Sequence, residues 1–326
     1  MQETMIERAK ALMESKSVVR VVGWRIGEFG YDVTPSVFTT VDDLNGNFVY
    51  NDFCGSNLSK YLVRLSCEEG KVLVFLKPCD TYSFTQLLKE HRIHRDNVYA
   101  IGIPCNGKID IEKVRQAGGE GITAIRSEGS TVIARTLYGE KKFDRKEVLS
   151  ERCLNCKSKK HVTYDELLGE EGEVLDSHRF DMVEKLEAMS SNERFEFWRN
   201  ELSRCIRCNA CRNVCPACTC EKCIFDNDNS GVSNKAAADS FEENMFHIIR
   251  AFHVAGRCTD CGECSRVCPE HIPLHLLNRK FIKDINELYG EYQAGSDMET
   301  VSPLTSYTIE DDDPSIVNRR GGGHDA

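Results

Sequence analysis

Along residues 1–150, short unbroken apolar runs alternate with stretches whose apolar positions recur every three or four residues. Met5 to Met13 carries the helical spacing, and "VVRVVGW" reads as a strand. The stretch "NLSKYLVRLSCEE" is helical, "KVLVFL" (71–76) is a buried strand, and "TYSFTQLLKEHRI" is helical again. "NVYAIGI" (97–103) is a second buried strand. Unbroken apolar strands separated by amphipathic helices predict a parallel sheet covered on both faces, hence an α/β domain. "ITAIRSEGSTVIART" (122–136) alternates instead and predicts a hairpin turning at Glu128-Gly129-Ser130.

From residue 179 the pattern becomes helical. Ser190 and Glu193 fit a capping box, and Phe195, Trp198 and Leu202 follow in phase. Ser240 and Glu243 fit a second box. Phe241, Met245, Ile248, Ile249 and Phe252 fall on one face of that helix, and Gly256 follows as a stop. After Pro273 a third helix carries Leu277, Phe281, Ile285 and Leu288. Asp226 to Ala238 reads as a polar linker. The division expected is an α/β domain (1–178), an α-helical domain (179–290) and a mobile acidic tail (291–326), which has little to bury.

Composition then narrows the function. A net charge of -10 disfavours nucleic acid or an anionic membrane as the main partner. No apolar run approaches the ~20 residues that span a bilayer, and no signal peptide is recognisable, so a cytoplasmic protein is expected. Seventeen cysteines in that setting indicate metal rather than disulfides.

Their spacing gives the metal. Cys205-x2-Cys208-x2-Cys211-x3-Cys215-Pro216 is repeated as Cys258-x2-Cys261-x2-Cys264-x3-Cys268-Pro269. This is the run that holds [4Fe–4S] cubes in two-cluster ferredoxins, where the fourth cysteine of each run serves the other cube. The expected sets are Cys205, Cys208, Cys211 and Cys268 for one cube, and Cys258, Cys261, Cys264 and Cys215 for the other. Zinc also uses paired C-x2-C knuckles, but two full runs ending in Cys-Pro favour iron–sulfur. A linker and a capped helix separate the runs, so the module resembles the α-helical ferredoxin rather than the compact βαβ type. Paired cubes serve one-electron transfer.

Strands 71–76 and 97–103 each run into Pro-Cys, at Cys79 and Cys105. As parallel neighbours their carboxyl ends would lie ~5 Å apart, on the rim where α/β sheets bind ligands. Cys153-x2-Cys156 could complete four thiolates there; the alternative is that Cys79 and Cys105 are ordinary buried cysteines. Cys218, Cys220 and Cys223 are surplus to the eight ligands. They read either as a further zinc or iron–sulfur centre, with a fourth ligand from Cys54, Cys67, His247 or His253, or as helix-packing thiols.

The segments "KPCD", "IGIPCNGKID", "IRSEGSTVI" and "CLNCKSKKHVTYDELLGEEG" together resemble the beta-subunit family of deazaflavin-reducing hydrogenases and formate dehydrogenases, over residues 15–175. The resemblance implies that Cys79, Cys105, Cys153 and Cys156 surround a third cube beside FAD. It implies a subunit of an anaerobic redox complex. Gly119-Glu-Gly121-Ile-Thr-Ala124 opens a strand rather than a helix and is no dinucleotide fingerprint. Candidate flavin contacts are Thr81, Tyr82, Ser83, Asn106, Gly107 and Arg126, each also readable as a cap, turn or exposed charge. The function expected is an electron-transfer subunit working with a nicotinamide-oxidising flavin subunit and ferredoxin, in a transhydrogenase, hydrogenase or formate dehydrogenase. The alternatives are a self-contained deazaflavin or NAD(P)H dehydrogenase, and a zinc-stapled interaction module.

Overall fold

A computed structural model describes residues 1–157, 160–172, 178–227 and 240–307; of residues 240–243 it describes the backbone alone. Eight strands are formed: β1 (Arg20–Ile26), β2 (Val33–Phe38), β3 (Val72–Leu76), β4 (Val98–Gly102), β5 (Ile122–Glu128), β6 (Thr131–Thr136), β7 (Gly139–Asp144) and β8 (Glu166–Leu167). Five make one sheet in the order β2-β1-β3-β4-β8. β1, β3, β4 and β8 are parallel and β2 is the antiparallel edge. All five residues of β3 are buried, as a strand covered on both faces requires. Met5, Trp24, Phe38, Phe75 and Phe84 fill the core around it.

The expected hairpin forms β5 and β6, with Gly129 at φ 60° in its turn. β7 extends it to a three-stranded sheet with its own small core of Ile122, Val132, Ala134 and Phe143. β2, β7 and β8 were not expected. β2 carries Pro35, tolerated because an edge strand has an unpaired side. β7 buries one apolar side chain, Phe143, and β8 is two residues long, so neither shows a period.

The C-terminal half is helical: Asp181–Glu187, Ser191–Leu202, Ser240–Val254 and Leu274–Tyr289, with one-turn helices inside each cysteine run. The first capping box forms as expected. The Glu193 amide donates to Ser190 Oγ (3.3 Å) and the Ser190 amide to Glu193 Oε2 (2.8 Å). The side chains of the second box, Ser240 and Glu243, and that of Phe241 lie outside the described residues, as do positions 228–239 of the linker.

Two helix faces differ from expectation. On Ser240–Val254 the buried side chains are Phe246, His247, Arg250, Ala251 and Val254, whereas Ile248 and Phe252 are 44% and 61% exposed. The helix turns a partly polar face to the cysteine loops, because the thiols there need donors and countercharge. Likewise Leu288 is 75% exposed, while His275, Asn278 and Arg279 are buried. Residues 291–307 are also not a loose tail: Tyr292 is buried and its hydroxyl donates to Gly256 O at 2.7 Å. The remainder, 308–326, lies outside the described residues.

The two halves are joined by buried charge. Arg152 donates to Gly55 O (2.8 Å) and Cys261 O (2.9 Å) and pairs with Glu263, which is 0% exposed. Arg266 closes on the same carboxylate at 2.8 Å and 2.9 Å. Gly262 must be glycine: its φ is +66°, and an added Cβ would meet the Arg152 side chain at 2.6 Å. Ser83 and Thr259 share a hydrogen bond of 2.7 Å nearby.

Burial opposes the charge of Glu263, but Arg266 and Arg152 outweigh it and hold the carboxyl at about 2, below its ordinary 4.5. The folded value is depressed, so its stabilisation is complete above pH 4.5 and is lost as pH falls toward 2. At neutral pH, Arg152→Met leaves that carboxylate buried with one partner gone and is expected to cost about 3–5 kcal/mol. Thermal unfolding should show a large fall in Tm for Arg152→Met and little change for Arg126→Met, whose partners Glu128 and Glu140 are exposed.

Candidate metal centres

Leu76 and Gly102 are paired at the ends of β3 and β4, so the chain leaves both strands at one rim. β3 leads directly into the helix Pro78–Lys89, with proline at a first-turn position where its missing N–H costs nothing. This places Cys79 in the first turn, while β4 continues through Pro104 to Cys105. His161, which the sequence reading passed over, ties the two exits together. Its Nε2 lies 3.2 Å from Leu76 O and 3.1 Å from Ile103 O, and its Nδ1 lies 2.9 Å from Glu171. No spacing in the sequence marks such a residue, because its partners are backbone carbonyls 85 and 58 positions away.

The rim encloses a cavity lined by Cys79, Cys105, Cys153 and Cys156, and also by Cys261 of the second C-terminal run. The four scattered cysteines are therefore brought together. Lys77, Lys108, Arg152 and Asp260 line it too. Lys77 is buried and ion-paired to Asp80 at 2.7 Å. Burial works against its charge, yet Asp80 and Cys79 raise its pKa. Burial, reinforced by Asp80, pushes the Cys79 thiol well above its usual range. The Lys108 amide points at Cys153 Sγ (3.4 Å).

The two C-terminal runs share one backbone pattern. Arg207 and Asn209 stand at φ 55° and 62°, and Asp260 and Gly262, at the same positions of the second run, at 58° and 66°. Left-handed residues alternating with ordinary ones curl a loop so that successive amides point inward, a concavity that suits iron–sulfur sites. The first cavity is lined by Cys205, Cys208 and Cys211 together with Cys268 of the other run. The second is lined by Cys258 and Cys261 together with Cys215. Cys264 is buried within the electrostatic reach of Cys215 and Arg250. Burial pushes the Cys211 thiol up to about 12 and that of Cys258 further up.

Cys218, Cys220 and Cys223 line a separate cavity of about 580 Å³ with His253, Lys60, Arg212 and Arg250. Cys218 is turned toward Cys215: their hydrogen bond lowers the Cys215 pKa and raises that of Cys218. Among the described residues no three His, Cys, Asp or Glu side chains are grouped closely enough to hold a single metal ion. Cys54 is buried, its Sγ accepting from the Asn51 amide at 3.3 Å, and Cys67 is exposed on a helix end.

The six flavin candidates do not converge. Gly107 lines the N-terminal cavity and Asn106 is exposed beside it. Thr81 is buried and donates to Pro78 O (2.6 Å), and Ser83 faces Thr259 and Asn57. Tyr82 is half-buried with its carbonyl against Gly295, and Arg126 is on the second sheet, paired to Glu128 at 2.9 Å.

Residues 201–272 match the 4Fe-4S dicluster domain. The match spans both cysteine runs and the helix between them. Over 90% of its length the chain is 25% identical to the F420-dependent formate dehydrogenase subunit beta of Methanocaldococcus jannaschii, covering 92% of that protein. It is 23% identical over 90% of its length to the F420-dependent formate dehydrogenase 1 subunit beta of Methanococcus maripaludis, covering 91% of it. A chain in a solved structure of the xenon-derivatised F420-reducing [NiFe] hydrogenase complex from Methanosarcina barkeri is 15% identical. It aligns with a TM-score of 0.35, over 47% of this chain and 59% of that one. The family resemblance expected from the N-terminal segments thus holds for the beta subunits. No helix among the described residues is long and apolar enough to cross a membrane.

His161→Phe removes both carbonyl contacts at the strand exits. Anaerobically purified protein with this change is expected to lose about four irons per chain, the content of one cube. The dicluster domain should keep its share, which iron and acid-labile sulfide analysis would measure.

Proposed function

We propose that the chain is an electron-transfer subunit of an oxidoreductase complex and carries three [4Fe–4S] cubes in a file. The observation that supports this best is the position of Cys261. It lines both the N-terminal cavity and the cavity shared by Cys215 and Cys258, so adjacent centres would be separated by little more than one side chain. Cys79, Cys105, Cys153 and Cys156 would hold the entry cube. Cys258, Cys261, Cys264 and Cys215 would hold the inner one, and Cys205, Cys208, Cys211 and Cys268 the outer one. Each cube, when bound, takes up and gives back one electron without bonds being made or broken.

The residues of this chain supply the rest. Four thiolates leave a cube with net negative charge, and Lys77, Lys108 and Arg152 stand at the first cavity to offset it. Arg250 does the same between the other two, its charge favoured by Cys215, Cys264 and Cys211 against the cost of burial. Cys211, Cys215 and Cys264 are buried, which keeps these thiols away from other acceptors, while Cys208 is exposed at the outer end.

In this reading FAD binds the N-terminal domain near Gly107 and exchanges electrons with the entry cube. The remaining candidates, Thr81, Tyr82, Ser83, Asn106 and Arg126, are open to test by substitution. The relatives matched over 90% of the chain support a formate dehydrogenase beta-subunit role over a transhydrogenase or hydrogenase role with a nicotinamide-oxidising partner and ferredoxin, and in this reading the complex works in the cytoplasm. Cys218, Cys220 and Cys223 stand outside the relay, and zinc, or iron beyond that of the three cubes, would reveal a centre of their own.

Anaerobically purified protein should carry about twelve irons and twelve sulfides, as three cubes require. Cys208→Ala should remove one cube and destabilise the dicluster domain, since its metal-binding energy is also folding energy. Cys67→Ala should leave the iron count unchanged. Zinc in place of iron would end the electron-transfer reading. Cys105→Ala should lose about four irons, one cube's worth, and keep the two C-terminal cubes. It should also block electron flow from flavin to the dicluster domain, followed by stopped-flow bleaching.

A further inference from the structure

The helix Ser240–Val254 spends a buried position on a histidine. His247 is 1% exposed, and its Nε2 lies 3.2 Å from Cys205 Sγ. Its Nδ1 has no hydrogen-bond partner among the described residues. An imidazole carries an N–H on at least one ring nitrogen, and here Nε2 alone faces an acceptor, so a proton belongs there and is donated to sulfur. The Arg207 amide points at the same sulfur from 3.4 Å. The inner set has side-chain donors of another kind: Arg250 hydrogen-bonds Cys264, and Asn278 Nδ2 lies at a long 3.7 Å from the same sulfur. Two carboxylates, Asp260 and Glu263, also stand within or beside its cysteine loop.

We propose that His247 is a tuning residue of the outer cube, its N–H···S bond to Cys205 raising that cube's reduction potential so that electrons arriving through the inner cube come to rest there. The inference rests on the reading that Cys205, Cys208, Cys211 and Cys268 hold a cube. The step is one electron passing from the reduced inner cube, which is oxidised, to the outer cube, which is reduced, with no bond broken and no proton moved. The reduced cube is the more negative state, so a donor to its thiolate stabilises it over the oxidised state.

The experiment is an anaerobic redox titration of the full chain followed by EPR, with iron counted on each sample. His247→Leu should keep its iron and move one wave to lower potential, namely the wave whose signal Cys208→Ser alters. His247→Gln, which can still donate, should restore part of the shift. All waves unmoved in an iron-replete His247→Leu protein would overturn the proposal, as would movement of a different wave. If the leucine variant loses iron, the wild-type protein labelled with 15N-histidine decides. Pulsed EPR should then detect a histidine nitrogen coupled to the reduced outer cube, and its absence overturns the assignment. A wild-type chain without cubes would instead defeat the function proposed above, a distinct result.

Discussion

The structure turns on one buried ion pair. Arg152 sits beside Cys153 in sequence and reaches across to Glu263, the neighbour of Cys264, so one guanidinium links the cysteines of both halves. Two buried ions cost several kcal/mol each to desolvate, and the pair survives because both terminal nitrogens of Arg152 and both oxygens of Glu263 are answered, Arg152 Nε alone being left without a hydrogen-bond partner among the described residues. Gly55 O and Cys261 O accept from Arg152, and Arg266 completes Glu263. A hydrophobic interface of equal area could hold the domains together. It could not fix the rotation of one against the other as sharply, since fork-shaped hydrogen bonds are directional and apolar contact is not. Electron transfer needs that fixity, because its rate depends on the separation of the centres.

The same pair serves charge balance. A file of anionic clusters inside a low-dielectric protein would repel itself without fixed cations along its length. Lys77, Lys108 and Arg152 at one end and Arg250 and Arg207 toward the other form such a line, and each is held by a carbonyl, carboxylate or ring rather than by solvent. Lys77 lies 4.7 Å from the Trp24 ring centroid, Lys108 4.3 Å from that of Tyr50, and Arg207 4.1 Å from that of Phe246. Aromatic faces contribute to holding these cations away from bulk water, and Lys77 has the Asp80 carboxylate besides.

This explains what the sequence does and does not reveal. The eight dicluster cysteines are legible because a short loop wrapping a cube imposes fixed spacing, and the second run repeats the first. β3 and β4 are legible because strands buried on both faces are apolar throughout. The exits at Cys79 and Cys105 follow from sheet topology, and that Cys153 and Cys156 join them was suggested by the family resemblance. His161, Lys77, Lys108, Arg152 and Glu263 were invisible. Their role depends on partners far along the chain, and an isolated charged residue in a sequence looks like surface. The helix Ser240–Val254 misleads for the same reason: a hydrophobic-face reading turns Ile248 and Phe252 inward, when the metal side needs His247 and Arg250.

That reversal bears on how the domain is stabilised. The buried face of this helix mixes Phe246, Ala251 and Val254 with His247 and Arg250, so its docking depends on what the polar members meet as well as on apolar burial. Arg250 donates to Cys211 O at 3.2 Å and His247 meets Cys205, both elements of the first cysteine loop. When the loop's thiolates carry a cluster, these contacts become charge-assisted and strengthen; when they are neutral thiols, Arg250 is a buried cation with weak partners. Cluster binding and helix docking are therefore coupled in sign, each favouring the other. The exposed Ile248 and Phe252 are the consequence: two large apolar side chains are left outside while His247 and Arg250 take buried positions beside Phe246 and Val254.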